Sequence, residues 1–296
     1  MCSRASQSWI YVLLIWMAVS PSLLGQPNPP REEARLETEH FVIHWDPQQT
    51  AQETIDLARQ RAEEAHFKLV QFLGREKAPP GKASLLIEGE ARRADGSYRV
   101  PHVDGMGRIH LYRYTQSDES YFTALPHETV HVFRREIRNT PVWDSFLEEA
   151  FASYVADQVA PVNPGFPLYS HPLTVVAAQW FRRGEGIPLQ ILMQRHRQLN
   201  LPCKAQAYSL RTSFFRHLHQ TFGKASVMKL AYGGKPHSLP LYEEIFGKSF
   251  SALESEWKKD LLGRFSSLEK AQELADSYRS KTPVADWRIC RSGEDF

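Results

Sequence analysis

The chain is poor in cysteine and in net charge. Only 3 cysteines occur in 296 residues, and Cys2, Cys203 and Cys290 lack the short spacings of a cysteine metal site. The 36 basic residues nearly balance the 34 acidic ones, and no basic block with interleaved aromatic residues occurs. We therefore expect neither a nucleic-acid partner nor a strong attraction to anionic lipid.

Long apolar runs are also lacking, except for one near the N-terminus. Arg4 precedes an apolar run from Trp9 to Val19, and small residues follow it. This order predicts a signal peptide over residues 1–25 and a secreted or periplasmic protein. The run is shorter than the roughly 20 apolar residues of a membrane span, and an uncleaved anchor is the alternative. In an oxidising compartment Cys203 and Cys290 could pair, with two free thiols as the competing interpretation.

A five-residue motif near the middle of the chain indicates a chemistry. His127 and His131 are four residues apart, with Glu128 beside the first. On a helix the two rings project from one face, about 6 Å apart along the axis, and can converge on a tetrahedral zinc ion. Glu128 points beside that site, where it can take a proton from an activated water. A separate apolar face of this helix is formed by Val130, Phe133 and Ile137.

A second helix with two adjacent acids follows a break at residues 139–141. Only one acid can face the metal. If the helix starts after Ser145, Glu148 takes the capping-box position and Glu149 is the candidate third ligand. A start at Thr140–Pro141 is also compatible with the sequence, and that elimination then fails.

Together these segments resemble the gluzincin zinc metallopeptidases, specifically the bacterial peptidase MA-like proteins. The His-Glu-x-x-His motif is followed, in residues 146–154, by Phe-Leu-Glu-Glu-Ala-Phe-Ala-Ser-Tyr. The resemblance implies one Zn²⁺ ion held by His127, His131 and Glu149. It also implies that Glu128 is the catalytic base.

Three residues depart from the pattern of that family. Ala150 follows the implied ligand, where the family usually has glycine. Pro126 precedes the first histidine, which requires the helix to begin within the preceding few residues. Ser153 stands where the thermolysin branch has an aspartate, so the groups that orient the histidine rings are not identified.

A mixed fold is predicted from the order of periodic segments. A helix over residues 50–74 begins with a capping box, Thr50 and Glu53, and stops at glycine. It separates two strand-like runs, His40 to Trp45 and Ala83 to Ile87. Along this helix apolar residues alternate at spacings of three and four: Ile55, Ala58, Ala62, Ala65, Leu69 and Phe72.

The predicted class is α+β, with a small mixed sheet backed by helices. The resemblance covers residues 36–265 and implies a thermolysin-like core. We expect an N-terminal α/β lobe over residues 36–157, with the metal-site helices at the centre of the chain. A helical C-terminal lobe over 158–265 and a tail over 266–296 follow.

A hairpin and a tyrosine complete the predicted cleft. Asp-Gly turns flank residues 98–103 and predict a hairpin with residues 108–112. An extended peptide could add to its outer strand, or the hairpin has no special role. Tyr208, before a helix with one apolar stripe, is the candidate oxyanion donor; it resembles a tyrosine at the start of the corresponding family helix, and a packing role is the alternative. His217 and His219 diverge on that helix, which disfavours a shared metal.

The function that these residues predict is an exported zinc peptidase acting on peptide or protein substrates. Two alternatives stay open. One is an extracytoplasmic zinc-binding scaffold that has lost catalysis. The other is a metal-free helical domain in which His127 and His131 are polar surface residues.

Overall fold

The computed structural model describes residues 33–94, 99–113, 121–122, 124–135, 145–160, 173–195, 201–233 and 238–265. Within these ranges the fold is α+β, as predicted, with a five-stranded mixed sheet and eight α-helices. Several predictions lie outside the described residues: the signal peptide over 1–25, the tail over 266–296 with Cys290, the helix start at Thr140–Pro141, and Ile137.

The sheet has the strand order β1-β2-β3-β5-β4. Its three central strands, β2, β3 and β5, are parallel, and the outer strands β1 and β4 are antiparallel to their neighbours. The predicted runs at 40–45, 83–87 and 108–112 contain β2, β3 and β5. Of the run predicted at 98–103, only residues 102–103 form a strand within the described residues, and β1 was not predicted. The strands are β1 Ala34–Glu37, β2 Phe41–Trp45, β3 Ala83–Glu90, β4 His102–Val103 and β5 Ile109–Arg113.

The helices follow mostly after the sheet, and none of the described ones is long and apolar enough to cross a bilayer. A short 3-10 helix, Arg75–Lys77, follows α1. The α-helices are α1 Gln52–Leu73, α2 Leu125–Arg135, α3 Ser145–Val159, α4 Leu173–Arg182, α5 Leu189–Arg195, α6 Leu201–Tyr232, α7 Leu239–Phe246 and α8 Phe250–Arg264.

The start of α1 differs from the prediction. Its N-cap is Ala51, and no side chain caps the helix, so the predicted capping box of Thr50 and Glu53 is wrong. The reason is the preceding turn, in which the Thr50 N–H donates to the carbonyl of Asp46 at 3.0 Å. The predicted stop is confirmed at Gly74, whose φ of 103° favours glycine.

Helix α6 also begins earlier than the sequence predicted. Tyr208 lies inside it, in its second turn, and not before it. The apolar stripe is confirmed, since Leu210, Phe214 and Leu218 are buried. A break at Gly223, with φ of 81° and ψ of 162°, divides the helix.

Helix α2 joins two apolar cores. Leu125 and Val132 pack with the inner face of the sheet and α1, whereas Val130 and Phe133 pack with the helical core. Burial of such side chains contributes about 1.5–3 kcal/mol each. The burial of Val130 and Phe133 confirms their predicted apolar face and leaves the histidine face of α2 directed at α3.

Candidate metal centre

The start of α2 places the histidine pair. The helix begins at Leu125, so Pro126 lies in its first turn, where a missing N–H costs no helical hydrogen bond. Pro126 required the helix to begin within the few residues before it, and the start at Leu125 meets that requirement. The N–H of Glu128 donates to the carbonyl of Ala124 at 3.0 Å, which closes the first turn.

His127 and His131 face each other on consecutive turns. Their Nε2 atoms are 3.1 Å apart, and their ring planes meet at 80°. The two residues are only 2% and 6% exposed. The interpretation that made them polar surface residues is therefore wrong.

Glu149 of α3 brings a carboxylate to the same point. Its Oε2 lies 3.2 Å from Nε2 of His127, and its Oε1 lies 3.8 Å from Nε2 of His131. The Glu149 side chain is 23% exposed, against 3% and 8% for the two imidazoles. Glu149 is therefore more exposed than either imidazole.

The spacing of these donors suits a small divalent ion. Tetrahedral zinc with bonds of about 2.0–2.2 Å holds its ligand atoms roughly 3.3–3.6 Å apart. The observed separations are 3.1 Å between the two Nε2 atoms, 3.2 Å from Nε2 of His127 to Oε2 of Glu149, and 3.8 Å from Nε2 of His131 to the other carboxylate oxygen, Oε1. Two imidazoles and a carboxylate are also a donor set of catalytic zinc sites. His127, His131 and Glu149 can therefore hold one such ion together.

Both imidazoles have a partner on α3 for their other nitrogen. Nδ1 of His131 is 2.7 Å from Oε1 of Glu148, and Nδ1 of His127 is 3.3 Å from Oγ of Ser153. When each Nδ1 carries the proton, it donates to that partner and leaves the Nε2 lone pair for a metal. Sequence reasoning identified neither of these two partners of the histidine rings.

Glu128 is buried beside the pair. It offers a carboxylate oxygen that, with one nitrogen from each histidine, forms a group of atoms within 4.8 Å of one another. Burial raises its pKa to about 7, against the opposing effect of His127 and with a further increase from Glu149. Burial also raises the pKa of Glu149, but the hydrogen bond from His127 and the charges of His131, His127 and Arg211 outweigh it and hold that pKa well below its usual range. Two neighbouring carboxyl groups thus differ in proton affinity.

Tyr208 of α6 reaches the same cluster. Its OH donates to Oε2 of Glu149 at 2.7 Å, and its ring lies 5.9 Å from that of His127. Burial, together with the charge of Glu149, raises the pKa of Tyr208 well above its usual value, so the phenol stays a donor.

His217 and His219, the other histidine pair on α6, have different partners. His217 is bonded to Asp260 at 3.3 Å and His219 to Tyr154 at 2.8 Å.

The predicted hairpin is formed by β4 and β5. Asp104 holds its turn, with Oδ1 accepting from the N–H groups of Met106 at 2.8 Å and Arg108 at 3.0 Å. Among the described strands β4 is the outermost on this side of the sheet. It also contacts α2, which carries the histidines.

Comparison of the chain with family models, with curated proteins and with solved structures found no match. The functional assignment therefore depends on the arrangement of these side chains.

Proposed function

We propose that the protein is an exported zinc metallopeptidase of the gluzincin type, with one Zn²⁺ ion. The observation that carries this proposal is the meeting of two Nε2 atoms and a carboxylate within 3.1–3.8 Å, with a second buried carboxylate beside them. His127, His131 and Glu149 would hold the ion. Bound there, zinc would supply the Lewis acidity that makes water a nucleophile near neutral pH and polarises a peptide carbonyl.

Glu128 is the general base in this proposal. Glu149 completes the ligand set in this proposal, so the Glu128 carboxylate beside the two histidines is available to take a proton from the attacking water. The same group would then give that proton to the leaving amine.

The substrate of this proposal is an extended peptide. Strand β4 has no further strand on its outer side within the described sheet, and it lies against α2. We propose that the peptide pairs with β4, the strand that contacts the helix carrying the histidines. The OH of Tyr208 donates its hydrogen bond to Glu149. Its role as oxyanion donor therefore remains a prediction.

The test begins with metal content and hydrolysis measured on the same purified samples. Wild-type protein is expected to contain one zinc per chain and to cleave a peptide library. Glu128→Gln should keep the zinc and lose nearly all hydrolysis, because the amide cannot accept the proton. His131→Ala should lose zinc, whereas the control His44→Ala, on β2, should keep it.

Each contrary result identifies the part that is wrong. Full hydrolysis by Glu128→Gln would remove the proposed base. Zinc without any hydrolysis in the wild type would support the scaffold alternative. Wild-type protein that binds no zinc would end the metal proposal.

A further inference from the structure

One oxygen of the implied metal ligand has two partners. Oε2 of Glu149 lies 3.2 Å from Nε2 of His127 and also accepts a hydrogen bond from the OH of Tyr208 at 2.7 Å. The phenol therefore acts on the carboxylate oxygen that lies beside His127. A tyrosine that served only a developing oxyanion would not need this contact.

The Tyr208 ring is itself held in place. The guanidinium carbon of Arg211 lies 4.5 Å from the ring centroid, and Arg211 is fully buried. The Nε–H of Arg211 donates to the carbonyl of Ala207 at 3.1 Å, which anchors the cation to the helix backbone. On another side the ring contacts His127 edge to face. The position of the OH is thus determined by α6.

Glu149 is the donor that most needs such a partner. Its side chain is more exposed than either imidazole and has more rotatable bonds. The histidines already have their own partners, Glu148 and Ser153, both on α3. Tyr208 adds a partner for the third donor from a different helix, so each of the three donors has a hydrogen-bonding group that can orient it.

We propose that Tyr208 is a positioning residue of the metal centre, which holds the Glu149 carboxylate toward the histidines and so makes metal affinity depend on α6. This inference rests on the metal site of the proposed function but not on hydrolysis. It assigns Tyr208 a role different from that of an oxyanion donor, and the two roles predict different measurements.

The test is the affinity for Zn²⁺ alone, measured by competition with a chromogenic chelator. Tyr208→Phe removes the hydroxyl and keeps the buried ring. We expect its zinc affinity to fall about 10–100-fold, the usual cost of losing the partner of a metal ligand. The absorption spectrum of the Co²⁺-loaded protein should change as well, because the carboxylate is no longer fixed.

Tyr154→Phe is the matched control. Tyr154 is also buried, and its OH also makes one hydrogen bond between α3 and α6, to His219 at 2.8 Å. That bond involves none of the implied ligands. We expect Tyr154→Phe to lower thermal stability as Tyr208→Phe does, and to leave zinc affinity within about twofold of wild type.

A double-mutant cycle separates positioning from general stability. In a Glu149→Ala background, Tyr208→Phe should have no further effect on zinc affinity, because the carboxylate that it acts on is absent. A persistent effect in that background would overturn the proposal. So would an equal loss of affinity in Tyr208→Phe and Tyr154→Phe.

The remaining outcomes distinguish this inference from the proposed function. Unchanged zinc affinity in Tyr208→Phe with a fall in kcat would favour the oxyanion donor and overturn positioning. Weakened zinc binding in a protein that cleaves no peptide would support positioning and contradict hydrolysis. Wild-type protein without zinc affinity would overturn both.

Discussion

The orientation of each imidazole in the site depends on the group that is hydrogen-bonded to its Nδ1 atom. A carboxylate 2.7 Å from Nδ1 of His131 makes a charge-assisted hydrogen bond, whereas the hydroxyl 3.3 Å from Nδ1 of His127 makes a neutral, longer one. The carboxylate should therefore fix the ring of His131 more firmly and increase its basicity as a ligand. Glu148 should therefore contribute more to metal binding than Ser153 does.

We expect Glu148→Gln to weaken zinc binding about 10–100-fold, and Ser153→Ala to weaken it less. The substituted amide keeps the size of the Glu148 side chain but loses the charge that strengthens the bond to His131. Chelator competition measures both variants. Glu256→Gln is the control, since that carboxylate pairs with Lys248 on the surface of α8. A larger loss in Ser153→Ala than in Glu148→Gln would contradict this ranking.

The sequence indicated the members of this cluster but not its hydrogen bonds. His127 and His131 could be found because one helical turn fixes their relation, whatever the rest of the chain does. The roles of Glu148 and Tyr208 depend on how α3 docks against α2 and α6, which local spacing does not specify. From spacing alone, Glu148 is a capping residue if the helix starts after Ser145, and Tyr208 precedes its helix.

At the scale of the secondary-structure elements, the sequence predicted a helix end that depends on the backbone conformation of one glycine. It did not predict a helix start that depends on the preceding turn. The end of α1 was predicted because Gly74 tolerates a φ of 103°. The predicted start of α1 was wrong because Thr50 belongs to the preceding turn, where its N–H donates to the carbonyl of Asp46. Strand β1 was missed because only four residues form it, and every second one is exposed.

The break in α6 gives a prediction on backbone strain. Gly223 has φ of 81° and ψ of 162°, a conformation that is nearly restricted to glycine, and a Cβ there would meet no atom within 4 Å. We expect Gly223→Ala to lower the free energy of unfolding by about 1–3 kcal/mol through strain alone. Urea denaturation followed by circular dichroism measures this change.

At Gly263, in contrast to Gly223, we expect substitution by alanine to stabilise the protein. It lies in α8, is exposed, and has equally open space around its Cβ position, but its φ is not positive. Gly263→Ala should raise the free energy of unfolding, by up to about 1 kcal/mol, because alanine favours the helix. Equal effects of the two substitutions would show that the break at Gly223 does not persist in solution.

At the scale of the whole molecule, the implied metal site joins parts that pack in different ways. Helix α2 contributes to both the sheet core and the helical core, whereas α3 buries its apolar residues in the helical core with α4, α6 and α8. The donors lie on two successive helices, α2 and α3, and meet only after these helices have packed. An ion bound between them therefore binds the folded chain far better than the unfolded one.

Metal removal should consequently lower stability. A ligand that binds only the native state at 100 times its Kd adds about 2.7 kcal/mol to the free energy of unfolding. We expect a chelator to lower the thermal midpoint of the zinc-loaded wild type and to leave that of His131→Ala unchanged, because one donor of the set is missing there. Scanning calorimetry with and without EDTA measures both proteins. An equal shift in both would place the stabilising ion elsewhere, and no shift in a wild type shown to contain zinc would mean that the ion does not tie α2 to α3.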